Sequence, residues 1–486
     1  MVPSKYFRPL CFFLFVTATA VPDSEPIVIH PGESIQDAVN NAPEGARFLL
    51  KAGVHRLQQI RPKHGQIFEG EQGAILSGAA LLTTFDREGN FWVATGQYQR
   101  GQVHGQCHPS SPGCRYPEDL FIDDVPLIHV RSRSQLAPGR WFFDYDNHKI
   151  YLADDPTGKR VETSVTRHAF LGTARDVTIR GLIIEKYASP AQYGAIHPRV
   201  GNEVGTGWRI EGNAIRWNHG CGIRIADGMY IGRNYVVGNG QMGIGDIGND
   251  VVVEDNEIAW NNYAGYAAEW EAGGAKFVKT NRLVVRRNYV HNNRGTGLWT
   301  DIDNINTIYE FNHVVDNWGP GIQHEISYDA VIRHNYLRGN GRGGDAWVWG
   351  SQILVQNSQN VEVHDNYVEV NEDYGDGIFL VYQRRGSGRY GPYITVNNWV
   401  HHNEVVFKGN AGTTGAAADF DHETLYSGNN RFNNNGYRVP RTDMNKWEWR
   451  GVRNWIGFQS QGQDVAGWAL SHRDYAILTN QEEGQK

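Results

Sequence analysis

One sequence motif decides the fold, VVVEDNEIAWNN at residues 251–262, because it recurs along the middle of the chain. Each copy contains a β-branched apolar run, an Asn, alternating apolar residues and a second Asn before a Gly-containing turn. Alternation of apolar and polar residues is typical of β-strands, whereas helical repeats would need an apolar period of 3.6 residues. Further copies are VVRRNYVHNN at 284–293, IYEFNHVVDN at 308–317 and VIRHNYLRGN at 331–340.

The spacing of the copies predicts an all-β parallel solenoid. Their first Asn residues are separated by 21, 22, 32, 24, 23, 31 and 37 residues. Three short strands with their turns use a little over 20 residues, so the short intervals match one coil and the long ones a coil with an inserted loop. Identical Asn side chains stacked about 4.8 Å apart would form a structural hydrogen-bonded ladder. The predicted ladder contains Asn213, Asn234, Asn256, Asn288, Asn312, Asn335, Asn366 and Asn403.

Composition and charge exclude several classes of protein. The 486 residues carry 46 Lys and Arg against 53 Asp and Glu, a net charge of −7 that offers no basic surface to nucleic acid. No segment approaches the roughly 20 apolar residues that a membrane-spanning helix needs. Hydrophobic residues at 40% and aromatic residues at 12% also exclude a disordered chain. We expect a monomer with no nucleic-acid or membrane partner.

The first residues predict export. Lys5 and Arg8 precede a short apolar run, and Ala18-Thr19-Ala20 matches a signal-peptidase site. We therefore expect a secreted protein, either extracellular or periplasmic. The predicted domains are a signal peptide (1–20), an N-terminal cap with the first coils (21–83), an inserted antiparallel β-subdomain (84–165), the solenoid (166–429) and a Trp-rich closing extension (430–486).

A solenoid needs a cap at its open end. Ile35, Ala38 and Val39 share one helical face, which predicts an amphipathic cap helix there. Cys107 and Cys114 flank a loop that contains Pro and Gly, which predicts a local disulfide in an oxidising compartment. Of the other cysteines, Cys11 leaves with the signal peptide and Cys221 is expected to be a small buried hydrophobe.

Three acidic residues are predicted to form a column across successive coils. Aligning the coils on the Gly that opens the last strand, Gly265, Gly297 and Gly321, places an acid four residues later in each. With a period of two this position points outward, and Trp299 and Gln323 share its face. The three acids are Glu269, Asp301 and Glu325.

A column of carboxylates indicates acid–base chemistry. Mutual repulsion favours one carboxyl that keeps its proton, which is the condition for a general acid. Adjacent coils lie about 4.8 Å apart, close to the 5–5.5 Å of retaining glycosidases, whereas inverting enzymes use about 6.5–9.5 Å. We predict Asp301 and Glu325 as the nucleophile and acid/base pair, with Glu269 as a supporting acid and no metal or cofactor.

Other side chains near the column are candidates for substrate binding. Lys276 would form a salt bridge with the column, act as a lyase base or face water. Asp303 shares the face of Asp301 by parity and would hold a sugar hydroxyl or be solvated. His324 points inward by parity, which favours a core histidine over a catalytic one unless the strand bulges. The full set is Trp270, Trp299, Trp318, Gln323, Glu271, Lys276, Asp303 and His324; Trp347 and Trp349 would wall the cleft or pack on the coils.

Four other interpretations of the acidic column are open. Exposed carboxylates are usually solvated surface, and three together could bind Ca²⁺. In a polysaccharide lyase or uronate epimerase, Ca²⁺ would neutralise a uronate and Lys276 or a nearby Arg would abstract the C5 proton. A non-catalytic adhesin or carbohydrate-binding solenoid would have no activity.

The stretch GLWTDIDNINT at 297–307, followed by GIQHEIS at 321–327, resembles secreted glycoside hydrolases of the β-xylosidase and α-fucosidase type. The resemblance implies a right-handed parallel β-helix with a small inserted β-subdomain near the amino terminus. It also implies that Asp301 is the nucleophile, Glu325 the acid/base and Glu269 a third acid. The expected partner is a polysaccharide or oligosaccharide substrate, and the resemblance leaves the sugar open.

Overall fold

The computed structural model describes residues 25–343, 347–420 and 422–483. The predicted signal peptide and Cys11 lie outside these residues. The described chain is an all-β, right-handed parallel β-helix with a cap helix and an inserted β-subdomain, which confirms the predicted fold class.

Each complete coil contributes one strand to each of three long sheets, A, B and C. One coil consists of Arg209–Glu211 in sheet A, Ala214–Arg216 in sheet B and Cys221–Arg224 in sheet C. Each strand pairs in parallel with its counterpart in the next coil. The inward side chains of the coils stack into one apolar core that runs along the axis.

Within each complete coil the strands follow one another in the order A, B, C. The strands of each sheet among the described residues are as follows. Sheet A contains Ile27–Ile29, Arg47–Leu50, Ile67–Gly70, Thr178–Arg180, Arg209–Glu211, Tyr230–Gly232, Val252–Glu254, Val284–Arg286, Thr307–Glu310, Ala330–Arg333, Val361–His364, Trp399–His401 and Arg431–Asn433. Sheet B contains Gly53–Arg56, Ala74–Ser77, Ile183–Glu185, Ala214–Arg216, Tyr235–Val237, Glu257–Ala259, Tyr289–His291, His313–Val315, Tyr336–Arg338, Tyr367–Val370, Glu404–Phe407, Gly436–Val439 and Trp468–Ser471. Sheet C contains Phe170–Leu171, Gly194–His197, Cys221–Arg224, Met242–Asp246, Gly273–Val278, Thr296–Asp301, Ile322–Glu325, Ser351–Gln356, Asp376–Tyr382, Thr414–Ala418, Trp447–Glu448 and Val452–Arg453.

The inserted subdomain has two mostly antiparallel sheets that surround a separate apolar core. Lys186, in the β-helix, fastens it through ion pairs of 2.5 Å to both Glu162 and Asp124. One sheet contains Ala79–Leu82, Leu120–Ile122, Val125–Pro126 and Val161–Ser164; the other contains Asp86–Glu88, Phe91–Ala94, Ile128–Val130, Arg140–Asp144 and Lys149–Leu152. Two hairpins project elsewhere, Arg199–Val200 with Glu203–Val204 and Ser387–Gly388 with Gly391–Pro392.

Short helices lie at the ends and in the inserted loops. The cap helix Ile35–Asn41 begins at Ser34, whose hydroxyl accepts a hydrogen bond from the Asp37 N–H, and it buries Ile35 and Val39 in the core, as predicted. None of the described helices is long and apolar enough to cross a membrane. The others are Arg133–Gln135 (3₁₀), Ala268–Glu271, His422–Ser427, Trp455–Gln459 and His472–Glu483.

The asparagines form the predicted ladder. Asn256 Nδ2 donates to Asn288 Oδ1 at 3.0 Å, and Asn256 Oδ1 accepts from Asn234 in the preceding coil. A second ladder runs parallel to it, from Asn218 to Asn340. Because these side chains are buried and satisfied by each other, their role is structural.

Candidate active site

Sheet C places two acids opposite each other. The strands Thr296–Asp301 and Ile322–Glu325 pair in parallel, with Asp301 opposite Glu325. Leu298 and His324 point into the core, whereas Trp299 and both acids point outward, as the alternation predicts. Register partners on adjacent strands are about 4.8 Å apart at the backbone.

The two acids lie on the floor of a cleft over sheet C. Its cavity volume is about 1130 Å³, slightly above the range of about 300–1,000 Å³ typical of small-molecule sites. Its walls come from the disulfide loop at 107–114, the insert before Gly273, the loop after Tyr382, and Gly343 and Trp349. The site therefore has room for more than one small ring.

Asp301 is held by a buried lysine. Lys276 Nζ lies 2.9 Å from Asp301 Oδ2 and 3.6 Å from Glu271 Oε1. The same ammonium lies 3.9 Å from the centroid of the Trp299 ring. Asp301 Oδ1 is buried and accepts no hydrogen bond from the described residues. Asp301 is thus held at the floor of the cleft by Lys276 through one carboxyl oxygen.

Glu325 receives hydrogen bonds at both carboxyl oxygens. Trp299 Nε1 and Gln323 Nε2 donate to Oε2 at 3.1 and 3.0 Å, and Arg385 donates to Oε1 at 2.5 Å. Burial raises the pKa of Glu325, the charge of Asp301 raises it further, and Arg385 opposes both. The raised pKa favours a proton on Glu325, which suits a general acid.

The backbone turns sharply directly after each acid. Ile302 has φ 63° and Ile326 has φ 37°, although a β-branched residue rarely adopts the left-handed region. Both side chains belong to a small apolar cluster with Tyr328 and Tyr393. Lys279 and Asn357, at the same turn in the adjacent coils, have φ 53° and 49°, so the left-handed turn belongs to the repeat and packing in this cluster holds it here.

Glu269 does not lie in the column, so its predicted alignment is wrong. Gly265 belongs to an insert, and the strand of that coil that pairs with Thr296–Asp301 is Gly273–Val278. Val278 lies opposite Asp301, and Glu269 lies in the short helix Ala268–Glu271 at the rim of the cleft. The column therefore contains two carboxylates, not three.

Two other candidates do not face the cleft. His324 is fully buried, bonds to Thr300 Oγ1 and the Tyr328 carbonyl, and its pKa is lowered to about 4 by burial. Asp303 follows the end of the strand, where positive φ angles at 302 and 303 break the alternation. Its carboxylate binds Tyr393 and the backbone of Arg389. His324 is therefore the core histidine that parity favours and not a substrate contact, and Asp303 holds a loop, so the sugar contact expected of it is wrong.

The aromatic candidates have different surroundings. Trp299 is 7% exposed and Lys276 covers its ring, so no ring face is free to stack on a ligand. Its Nε1 instead holds Glu325 by a hydrogen bond. Trp318 is 49% exposed and lines the cleft. Trp270 lines the cleft and stacks on Tyr266 at 6.1 Å. Of the two tryptophans in the 341–350 insert, Trp349 reaches the cleft.

Several cleft residues were not predicted. Arg385 comes from the long insert after Tyr382, and Arg294 comes from the turn before Thr296. The 37-residue interval between Asn366 and Asn403 indicates an inserted loop. No pattern in the sequence predicts that Arg385 in this loop contacts Glu325. Gln356 and Gln383 extend the floor beyond Gln323.

The predicted disulfide is present and closes one wall. Cys107 and Cys114 are bonded, and Cys221 is a buried free thiol. His219 Nε2 donates to the Cys114 carbonyl at 2.7 Å and Nδ1 contacts Asp119, which ties the loop to the β-helix. In the described part of the chain, no group of three or more His, Cys, Asp or Glu side chains is placed to hold a metal ion.

Comparisons with known proteins agree with the fold. Residues 200–359 match the family model described as right handed beta helix region. No curated protein matches the chain. The solved complex of XylC with xylose has a TM-score of 0.66 at 17% identity, covering 83% of this chain and 80% of that chain.

Two further structures are less similar. The A-module of the mannuronan C-5 epimerase AlgE6 from Azotobacter vinelandii has a TM-score of 0.47 at 12% identity, covering 83% of this chain and 87% of that chain. PfbA, a surface adhesin of Streptococcus pneumoniae, has a TM-score of 0.45 at 10% identity, covering 80% of this chain and 92% of that chain. Together the fold and the matched family model define the class: a right-handed parallel β-helix protein, here with a two-carboxylate cleft.

Proposed function

We propose that this protein is a secreted, metal-independent glycoside hydrolase that cleaves a polysaccharide or oligosaccharide with retention of configuration. The observation that carries the proposal is the placement of Asp301 opposite Glu325 on adjacent strands at the floor of one cleft. Two carboxyl groups about 5–5.5 Å apart are the arrangement of retaining enzymes. The solved XylC complex contains xylose, which agrees with a sugar ligand on a β-helix of this kind.

The reaction would proceed in two balanced steps. Asp301 attacks the anomeric carbon while Glu325 gives its proton to the glycosidic oxygen, so the glycosidic bond breaks and a glycosyl ester forms. Glu325, now ionised, then takes a proton from water as the water oxygen attacks the same carbon. The ester bond breaks, Asp301 is again a carboxylate and Glu325 is again protonated.

The charges of the cleft fit these roles. Lys276, 2.9 Å from Asp301, stabilises the negative charge that the nucleophile needs. Burial and the neighbouring carboxylate favour the protonated form of Glu325. One carboxyl is thus kept charged and the other protonated, as the first step requires.

Product analysis tests the proposal. A panel of aryl glycosides and of neutral and acidic polysaccharides would be treated with wild type, Asp301→Asn and Glu325→Gln, with and without EDTA. We expect reducing sugar without ultraviolet absorbance, lost in both variants and unaffected by EDTA. Asp329→Asn, a carboxylate outside the cleft that pairs with Asn360, is the matched control. Activity that survives both active-site substitutions would contradict the proposal.

A lyase or epimerase is the second candidate, and one observation favours it. The cleft contains three cationic side chains, Lys276, Arg294 and Arg385, which could neutralise a uronate carboxylate. Lys276 would then abstract the C5 proton, and in a lyase the C4–O bond would break to leave a double bond. Formation of an unsaturated product that absorbs in the ultraviolet, and its loss in Lys276→Met, would show that the protein is a lyase and not a hydrolase. Sugar binding with no turnover, unchanged by Asp301→Asn and Glu325→Gln, would indicate an adhesin.

A further inference from the structure

The loop that carries Arg385 is fastened at both ends. Asn357 Nδ2 donates to the carbonyls of Gln383 and Tyr393 at 2.5 and 3.0 Å, and Asn357 Oδ1 accepts from the Gln383 N–H at 3.0 Å. This single side chain closes the base of the segment, which we call the 383–393 loop. Its tip is the hairpin of Ser387–Gly388 and Gly391–Pro392.

Asp303 holds the tip of the 383–393 loop. Its Oδ1 accepts hydrogen bonds from the Arg389 N–H and the Tyr393 hydroxyl, both at 2.8 Å. Gly388 passes so close that a Cβ there would lie 1.9 Å from Asp303 Oδ1. Tyr328 adds a third tether by donating to the Gly391 carbonyl at 2.8 Å.

The fastened loop delivers one charge to the cleft. Arg385 lies between the base and the tip and donates to Glu325 Oε1 at 2.5 Å. The other charged groups that face Glu325 are Asp301 on the preceding strand and Lys276 one coil earlier. Arg385 is 34% exposed at its side chain, so its position depends on the loop.

We propose that Asp303 is a positioning residue: by fixing the 383–393 loop it holds Arg385 against Glu325 and so sets the pH range in which Glu325 carries its proton. Only the kinetic consequence rests on the proposed function. A buried carboxyl beside a second carboxylate would hold its proton too tightly to be a good acid near neutral pH, and a neighbouring guanidinium corrects this. Asp303 never touches the reacting atoms in this scheme.

The test is a titration of the Glu325 carboxyl by ¹³C NMR in protein with labelled glutamate, assigned through Glu325→Gln. Wild type is compared with Asp303→Asn, Arg385→Gln and the double variant. We expect Arg385→Gln to raise the titration midpoint by about one unit, the size expected for loss of one close opposite charge. Asp303→Asn should raise it in the same direction, and the double variant should match Arg385→Gln alone, because both act through one contact.

Controls keep the outcome decisive. Asp329→Asn removes a carboxylate outside the loop contacts and should leave the midpoint unchanged. Tyr393→Phe keeps Asp303 but removes one of its donors, so it serves if Asp303→Asn does not fold. An unchanged midpoint in both Asp303→Asn and Tyr393→Phe, or additive shifts in the double variant, would overturn the inference. The titration needs no turnover, so failure of the hydrolase proposal would be recognised separately by absence of cleavage.

Discussion

Lys276 Nζ lies 2.9 Å from Asp301 Oδ2, and both residues are more than nine-tenths buried. A buried ion pair is costly to break, because removing one partner leaves an uncompensated charge. The pair therefore fixes the charge of Asp301 in a cleft where Glu325 adds a second carboxyl.

Replacing Lys276 should weaken the nucleophile. We expect Lys276→Met to lower kcat/KM at neutral pH about tenfold or more, equivalent to about 1.4 kcal/mol, because Asp301 loses its buried ionic partner. Steady-state kinetics on an aryl glycoside that wild type cleaves would measure it. Lys279→Met, an exposed lysine just beyond the same strand, is the control. A kcat/KM of Lys276→Met equal to that of wild type would show that Lys276 has no role in the mechanism.

The acid/base role of Glu325 predicts a leaving-group dependence. Because its pKa is raised by burial and by Asp301, the basic limb of kcat/KM should lie above the usual carboxyl range. Glu325→Gln should lose that limb and keep kcat/KM on substrates with very acidic leaving groups, because they need no acid. Its kcat should fall, because ester hydrolysis lacks its base, and added azide should give glycosyl azide. Stopped assays across pH and product chromatography would measure these effects. Persistence of the basic limb in Glu325→Gln would assign the acid to another residue.

The end of the Asn ladder predicts a pH-dependent stability. Asp464 takes the next position after Asn435, and burial raises its pKa to about 6. Between about pH 4 and 6 the native state thus binds more protons than the unfolded state, so the stability from this group falls as pH rises. Urea unfolding at pH 4.5 and pH 7 should show that the free energy of unfolding of Asp464→Asn, relative to wild type, rises by about 2 kcal/mol between the two pH values. Equal pH dependence in both proteins would contradict the assignment.

The interior of the ladder should be costly to interrupt. Asn256 donates to Asn288 Oδ1 and to the carbonyls of Ile231 and Glu254, at 2.9–3.0 Å. Because these groups are buried, Asn256→Ala should lower the free energy of unfolding by about 3 kcal/mol. Thermal or urea unfolding would measure the change against Asn281→Ala, whose partner Asn306 is exposed. A loss as small as that of the control would mean that the ladder adds little stability.

Features that repeat within each coil could be predicted from the sequence. The Asn ladder and the outward placement of Asp301 and Glu325 follow from one period of about 23 residues and an alternation of two. Both persist because each coil packs only on its neighbours. For the same reason the parallel sheets and the apolar core are predictable from the sequence.

Features set by inserts could not be predicted. The sequence aligns Glu269 with Asp301 because the insert after Asn262 contains its own Gly. The strand that pairs with Thr296–Asp301 is Gly273–Val278, which only the structure shows. The outward position expected for Asp303 is wrong because the strand ends at Asp301 and the next two residues form a turn. Arg385 reaches Glu325 across 60 residues of sequence, a contact that no local period encodes.

The most direct test of the central claim is to trap the glycosyl ester. A 2-deoxy-2-fluoro glycoside of the sugar that wild type cleaves would be incubated with the enzyme, and the labelled peptide would be mapped by mass spectrometry. The account predicts a single label on Asp301, absent in Asp301→Asn. A label on any other residue, or no label together with inverted product by ¹H NMR, would contradict double displacement at Asp301.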